Sequence, residues 1–447
     1  MAPPPPPSAP QPDPDLQTGL QYLRAGWFDR AEPLFRSALA RHGERPDILH
    51  FLAVCLSQRG ALQDAETLWR KALAKDPNEP MLSYNLALVA RRQGRLDEAA
   101  RRLRDTIRRQ PSHLEARLAL ASINMDLGRF AAAERDLAEL TGKLDEGIQQ
   151  GGESLKPVQA RARNMLGYAL YRLGNHAAAI EVLDMALTDA GEDQARSAQI
   201  LGDRALALGA LDHHDEAVGE AGRALELAPQ SAALHHILGF VLYFAGRPDE
   251  AIPPIQRALE IDPAFGAALK TLALAQTAAG KDDDAVALLQ RALHGNPQDR
   301  DAVLQLSLLH LGGKRFSDAL DVLQAYLKDA PDDVRALNNQ GLALRGLKRT
   351  DEARRALKRA SKFAPEDPLI LSNLGSVLVD LGRAPEARPM HEHALRNLPG
   401  DSRLLANYGA CLAALGERDK ARETLDAALA ADPNNDEALV MRASLDA

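Results

Sequence analysis

The chain has 447 residues, of which 26% are charged, 45% apolar and only 4% aromatic, with a formal net charge of -8. This balance gives no electrostatic reason to expect nucleic acid as a partner, and at roughly 150 residues per domain the length alone would suggest about three globular domains. With so few rings, alanine has to fill the interior, which favours closely packed helices and an all-α fold.

Cys55 and Cys411 lie far apart in sequence, so neither a disulfide framework nor a cysteine metal site is expected, and a reducing compartment fits. The start, Met1-Ala2 followed by Pro3 to Pro7, has no basic segment and no apolar run, so it does not read as a secretory signal. No apolar stretch is long enough for a membrane span. The expected location is cytoplasmic.

Taken in chain order, residues 1–14 hold eight prolines and are expected as a disordered, polyproline-II-like tail. A period of 34 then begins. Alanine recurs at Ala31, Ala65, Ala99 and Ala133, and again at Ala179, Ala217, Ala251, Ala285, Ala319, Ala353, Ala387 and Ala421. Glycine stands five residues earlier in nine of these units, as at Gly26, Gly60, Gly246 and Gly416, where it can end a first helix in a left-handed conformation. Proline stands twelve residues later, as at Pro77, Pro263 and Pro433, where it stops a second helix. A small residue twelve before the alanine, such as Gly19, Ala53, Gly341 or Gly409, marks where the paired helices press together.

Twelve repeats follow, starting at Pro12, Pro46, Pro80, Leu114, Ala160, Ala198, Ala232, Gly266, Arg300, Val334, Pro368 and Ser402. They form a four-repeat block over 15–147 and an eight-repeat block over 160–435. Residues 148–159, with Gly151, Gly152 and Pro157, are expected as an interrupting loop or linker between them. Residues 436–447 read as a capping helix, with Ala438, Leu439 and Ala443 inward and Glu437, Arg442 and Asp446 outward.

A chain with small, turn and proline positions at this period resembles the tetratricopeptide repeat family along nearly its whole length. The resemblance implies an α-solenoid, a right-handed superhelix of helix pairs whose first helices line a concave groove. Groove residues then fall at repeat positions 2, 5, 6, 9, 12 and 13. Asn339, Asn373 and Asn407 stand at position 6 of repeats ten to twelve, beside Asn338. An asparagine amide can bond both C=O and N–H of an extended peptide, and this ladder resembles that of the superhelix of O-linked N-acetylglucosamine transferases, without their catalytic domain. Arg335, Arg345 and Arg403 flank it. The alternative is that these asparagines hold adjacent helices together, as Asn85 at the same position of repeat three suggests.

Tyr168, Tyr171, Phe240, Tyr243 and Phe244 form a second candidate, a groove aromatic patch or a set of gap fillers. Arg91 and Arg92 should reach the groove and could pair with an acidic partner. Repeats three and ten each net +5, mostly on second helices, which reads as a solvated convex face. The lysine and asparagine set of the dicarboxylate clamp of chaperone-binding members is absent from any three consecutive repeats.

Histidine pairs at His213-His214, His235-His236 and His391 with His393 lack a third ligand at metal spacing. Cys55 and Cys411 read as small core residues. No phosphate loop, nucleophile elbow or paired-carboxylate motif is present, so neither catalysis, a metal nor a cofactor is expected. The sequence therefore points to a non-enzymatic, cytoplasmic scaffold or adaptor that holds a peptide or partner helix in its groove. The alternative is an accessory subunit recruiting substrate for a separate enzyme such as a glycosyltransferase.

Overall fold

The structure is a computed structural model that describes residues 13–446, so the expected tail over 1–12 and the last residue lie outside the described part. Among the described residues there are 25 α-helices, one short 3-10 turn and no strand. No helix among them is long and apolar enough to cross a membrane. Asp13 and Pro14, counted with the tail above, are the cap and first residue of the first helix (Pro14–Arg24).

Each repeat is a helix pair, and the periodic marks explain its geometry. All twelve period alanines, from Ala31 to Ala421, are completely buried. The small position twelve residues earlier is equally tight. A methyl group built on Gly239 would lie 2.3 Å from Ile255, and one on Gly341 would lie 2.5 Å from Leu357. The turn position requires left-handed backbone in every repeat. Nine repeats supply glycine, and the other three force Asp212, Lys314 and Lys348 to φ of 61°, 57° and 59°, a conformation costly for any residue with a Cβ. Aspartates cap many first helices, as when Asp333 accepts from Ala336 N at 3.0 Å and Asp367 from Leu369 N at 2.9 Å.

The expectation of three domains from length fails, because a stacked array has no need of separate cores. The helices instead form two compact units that divide between Pro229 and Gln230. Each is an α-solenoid in which neighbouring helices pack in chain order and the first helices of successive repeats also touch.

In the first unit, residues 148–159 comprise the end of a long second helix (Phe130–Gln149), the 3-10 turn Glu153–Leu155 and the start of the next helix (Lys156–Arg172). Leu155 and Val158 pack into one core with Leu140, Leu144 and Leu166.

The second unit ends in the helix Asp436–Asp446. Ala438 and Leu445 are its buried residues. Leu439 and Ala443, both expected inward, are exposed, Leu439 by 45%, a correction. The helix continues the register of a first helix, and among the described residues no second helix follows to cover position 4.

Candidate functional site

The seven polar residues proposed for peptide binding all line one groove on the inner face of the second unit. Its volume is about 710 Å³. Arg335, Asn338, Asn339 and Arg345 come from the first helix of repeat ten (Val334–Gly346), Asn373 from that of repeat eleven (Pro368–Asp380), and Asn407 and Arg403 from that of repeat twelve (Ser402–Ala414). Asp436 and Glu437 close one end.

The asparagines are not free rungs. Asn339 is buried and its Nδ2 donates to Ser307 Oγ of the preceding repeat at 3.0 Å. Asn373 Nδ2 donates to Asn338 Oδ1 at 2.8 Å, and Asn407 Nδ2 donates to Ser372 Oγ at 3.0 Å. Each amide thus spends a donor on tying successive first helices together, while the oxygens of the half-buried, groove-lining Asn373 and Asn407 accept no hydrogen bond among the described residues.

The arginines divide in the same way. Arg345 grips both oxygens of Asp380 in the next repeat, at 2.6 and 3.3 Å. Arg403 is exposed and leans on the capping Asp401 at 3.2 Å. Arg335 is exposed and forms no ion pair among the described residues.

Exposed aliphatic side chains were missed by the sequence reasoning. Leu308, 56% exposed, and Leu369 line the same groove. A smaller groove of about 350 Å³ shares Arg345, Asn407, Asp436 and Glu437 and adds Met441 and Val440, the latter 70% exposed. Their repeat positions, 9 and 2 for the leucines and 5 and 6 for Val440 and Met441, are groove positions, so the pattern contained them.

The aromatic candidates fall in both units. In the first, Arg172 lies 4.3 Å from the Phe130 ring centroid and donates to Tyr168 OH at 3.1 Å. Tyr171 sits 5.6 Å from His176, and burial raises the pKa of its phenol. In the second, Phe240 and Phe244 meet tilted at 51° with centroids 4.6 Å apart, Tyr243 meets Phe244 edge-on at 5.2 Å, and His236 contacts both Phe240 and Phe265. Phe244 is 54% exposed.

Arg91 reaches Ser122 at 2.8 Å and Asp126 at 2.9 Å on the next first helix, and Arg92 reaches back to Ser57 at 3.4 Å. Both are partly committed within the first unit. Asp203 was overlooked. It accepts from Asn164 Nδ2 at 2.6 Å, and burial pushes its carboxyl up to about 7. Its signal was its place at position 6 of repeat six, where repeats ten to twelve have asparagine.

The histidines separate by burial. His236 bonds Thr271 Oγ1 at 2.9 Å, His393 pairs with Glu366 at 2.7 Å, and His391 is wholly buried. Among the described residues no three potential ligands cluster for a metal. Both cysteines are buried and unpaired by disulfide, and burial pushes the Cys55 thiol up to about 11.

Comparison with known proteins bears on the whole array. Sequence models described as tetratricopeptide repeat match residues 22–88, 242–306, 276–341 and 378–445 in one version. A second version matches 84–143, 142–195 and 203–264, and a third matches 334–367. No curated protein sequence matches. Among solved structures, the crystal structure of the APC/C hetero-tetramer Cut9-Hcn1 is 14% identical with a TM-score of 0.47, over 96% of this chain and 95% of that one. A tetratricopeptide repeat protein from Parabacteroides merdae ATCC 43184 is 18% identical with a TM-score of 0.47, over 56% of this chain and all of that one.

Proposed function

The chain belongs to the tetratricopeptide repeat family, whose members generally bind other proteins, and we propose that it is a protein-interaction scaffold whose C-terminal unit holds a partner segment in its inner groove. The observation carrying this reading is the composition of that groove. Exposed Leu308 and Leu369 stand among the uncommitted oxygens of Asn373 and Asn407 and the unpaired Arg335, in a space of about 710 Å³. Apolar side chains left in water beside unsatisfied polar groups gain by burial against a partner. The mixed lining suits an extended peptide: aliphatic residues on the leucines, backbone groups on the amides, and a carboxylate on Arg335.

The reading changes how the site is tested. Asn339 is a packing residue, so its removal would confuse folding with binding. A random peptide library displayed on phage and selected on the immobilised chain is the direct assay. Selected peptides should lose affinity about ten-fold or more on Leu369→Glu or Arg335→Glu, with helical content unchanged. No enrichment, or equal binding by both variants, would refute the groove as the site. The second possibility raised from sequence, recruitment of substrate to a separate enzyme, drew on a ladder of free asparagines. The amide donors here are spent between repeats, so the structure adds nothing to favour it.

A further inference from the structure

A different surface stands apart from the groove. The second helix of repeat ten (Thr350–Phe363) presents Arg355, Lys358, Arg359 and Lys362 at spacings of three and four, so all four lie on one helical face. All four are exposed, and among the described residues none forms an ion pair. Arg359 donates only to the carbonyl of Pro331, at 2.6 Å.

Four other second helices do not behave this way. They pair a cation with a carboxylate four residues away: Glu32 with Arg36 at 2.8 Å, Glu66 with Arg70 at 2.5 Å, Glu98 with Arg102 at 2.8 Å, and, in the reverse order, Arg388 with Glu392, also at 2.8 Å. In repeat ten the corresponding neighbours are cations, since Arg359 follows Arg355 and Lys362 follows Lys358 at i,i+4. Like charges at this spacing destabilise a helix. The arrangement is therefore an electrostatic burden in the free protein, on a chain whose net charge is -8.

We propose that this face is a second docking surface, for an acidic helix of a partner protein. The helical spacing of the cations matches carboxylates recurring every three or four residues on a partner helix lying alongside. Arg355 and Arg359 also line a shallow groove of about 290 Å³ with Gln324, Gln340, Leu344, Ala356 and Glu352, the last with its carboxylate held by Arg349 at 2.7 Å. Phe363, 47% exposed at the end of the stripe, supplies an apolar anchor. A helix about 10–12 Å across is matched to one such face. A nucleic-acid duplex or a bilayer would spread onto the flanking second helices, where Asp318, Asp321 and Glu386 are exposed. The second helix of repeat three (Leu96–Arg109) carries a weaker version, because Asp105 and Glu98 there pair with Arg108 and Arg102.

The test uses the full chain and a fluorescent, alanine-based helical peptide of about 20 residues with glutamates on one face and a leucine at one end, at low ionic strength. A peptide of identical composition with the glutamates spread round the helix, a short DNA duplex and phosphatidylserine vesicles serve as comparators. The one-faced peptide should bind more tightly than all three. Its affinity should fall about ten-fold or more in the combined variant Arg355→Gln, Lys358→Gln, Lys362→Gln. The variant leaves Arg359 in place and should melt no lower than the wild type. Leu369→Glu, which disables the inner groove, should bind the peptide normally, so the two readings fail separately. Absence of binding, equal binding by the spread peptide or by the triple variant, or tighter binding of DNA or vesicles would overturn the proposal, as would a triple variant that melts lower.

Discussion

Replacing His391 by leucine tests how burial and charge are balanced in a repeat core. His391 stands at repeat position 24, opposite the small position Gly375, and a methyl group on Gly375 would lie 2.6 Å from its Nε2. Repeats ten and twelve have the same arrangement with leucine: Gly341 faces Leu357 at 2.5 Å and Gly409 faces Leu425 at 2.7 Å. A leucine therefore fits this slot. The imidazole gains little there, since Nε2 has no hydrogen-bond partner among the described residues and Nδ1 is 3.5 Å from Ser372 Oγ. Burial, with a smaller push from Arg345, lowers its pKa from 6.5 to about 4.

The sign follows from which state takes up the proton. Above pH 6.5 both folded and unfolded chains hold a neutral ring, and the full stability is present. As pH falls through 6.5 only the unfolded chain protonates, so stability is lost until the folded ring also titrates near 4. The loss amounts to about 2 kcal/mol at pH 5 and about 3 kcal/mol below pH 4. His391→Leu removes this component while His236, similarly lowered to about 4 by burial, remains in both proteins. The stability difference between variant and wild type, from urea unfolding followed by hydrogen exchange in repeats eleven and twelve, should widen by about 2 kcal/mol between pH 8 and pH 5. A difference independent of pH would refute the claim that the fold keeps this ring neutral.

Further outcomes are expected elsewhere in the array. Lys314→Gly and Lys348→Gly relieve left-handed backbone at exposed turns, and each should stabilise its unit by about 1 kcal/mol in denaturant unfolding; a loss of stability would mean the lysine chains contribute more than the strain. Cys55 and Cys411, both raised in pKa by burial, should resist a thiol-specific dye in native buffer and react in denaturant; fast native labelling would contradict their packing. Proteolytic nicking at Gly151-Gly152 should leave the fragments co-eluting, because Leu155 and Val158 share a core with Leu140 and Leu144. Separation into two folded pieces would instead make residues 148–159 a module boundary.

The helix pairs were legible because their marks are steric. Only alanine, glycine or, at Ser307, serine fits the tight crossings, and only a left-handed residue fits the turn, so spacing alone exposes them. Even the three turns without glycine keep the conformation at Asp212, Lys314 and Lys348, which shows that packing of the pair outweighs local preference. The groove was legible as a set of positions, and its seven polar residues do converge. Their hydrogen-bonding state was not legible, because it depends on a residue in another repeat. The division near Pro229 left no mark either, since repeats six and seven keep the common period across it.

A single offset accounts for much of what was hidden. Successive first helices meet with a register of one repeat plus one residue. Arg91 therefore pairs with Asp126, Arg345 with Asp380, Asn373 with Asn338, Asn407 with Ser372, and His236 with Thr271, each 35 residues apart. Asn164 and Asp203 are 39 apart because four extra residues separate repeats five and six. A polar groove residue is thus committed when the residue at this offset complements it, and Asn339 is committed at a different offset, to Ser307 32 residues back. Arg335 looks back to Arg300 and forward to Ile370, and Arg403 looks back to Pro368 and forward to Ala438. None of these offers a carboxylate. Among the three arginines of the C-terminal groove, Arg335 and Arg403 are therefore the ones without a carboxylate on a neighbouring first helix, and a partner's carboxylates have most to gain there.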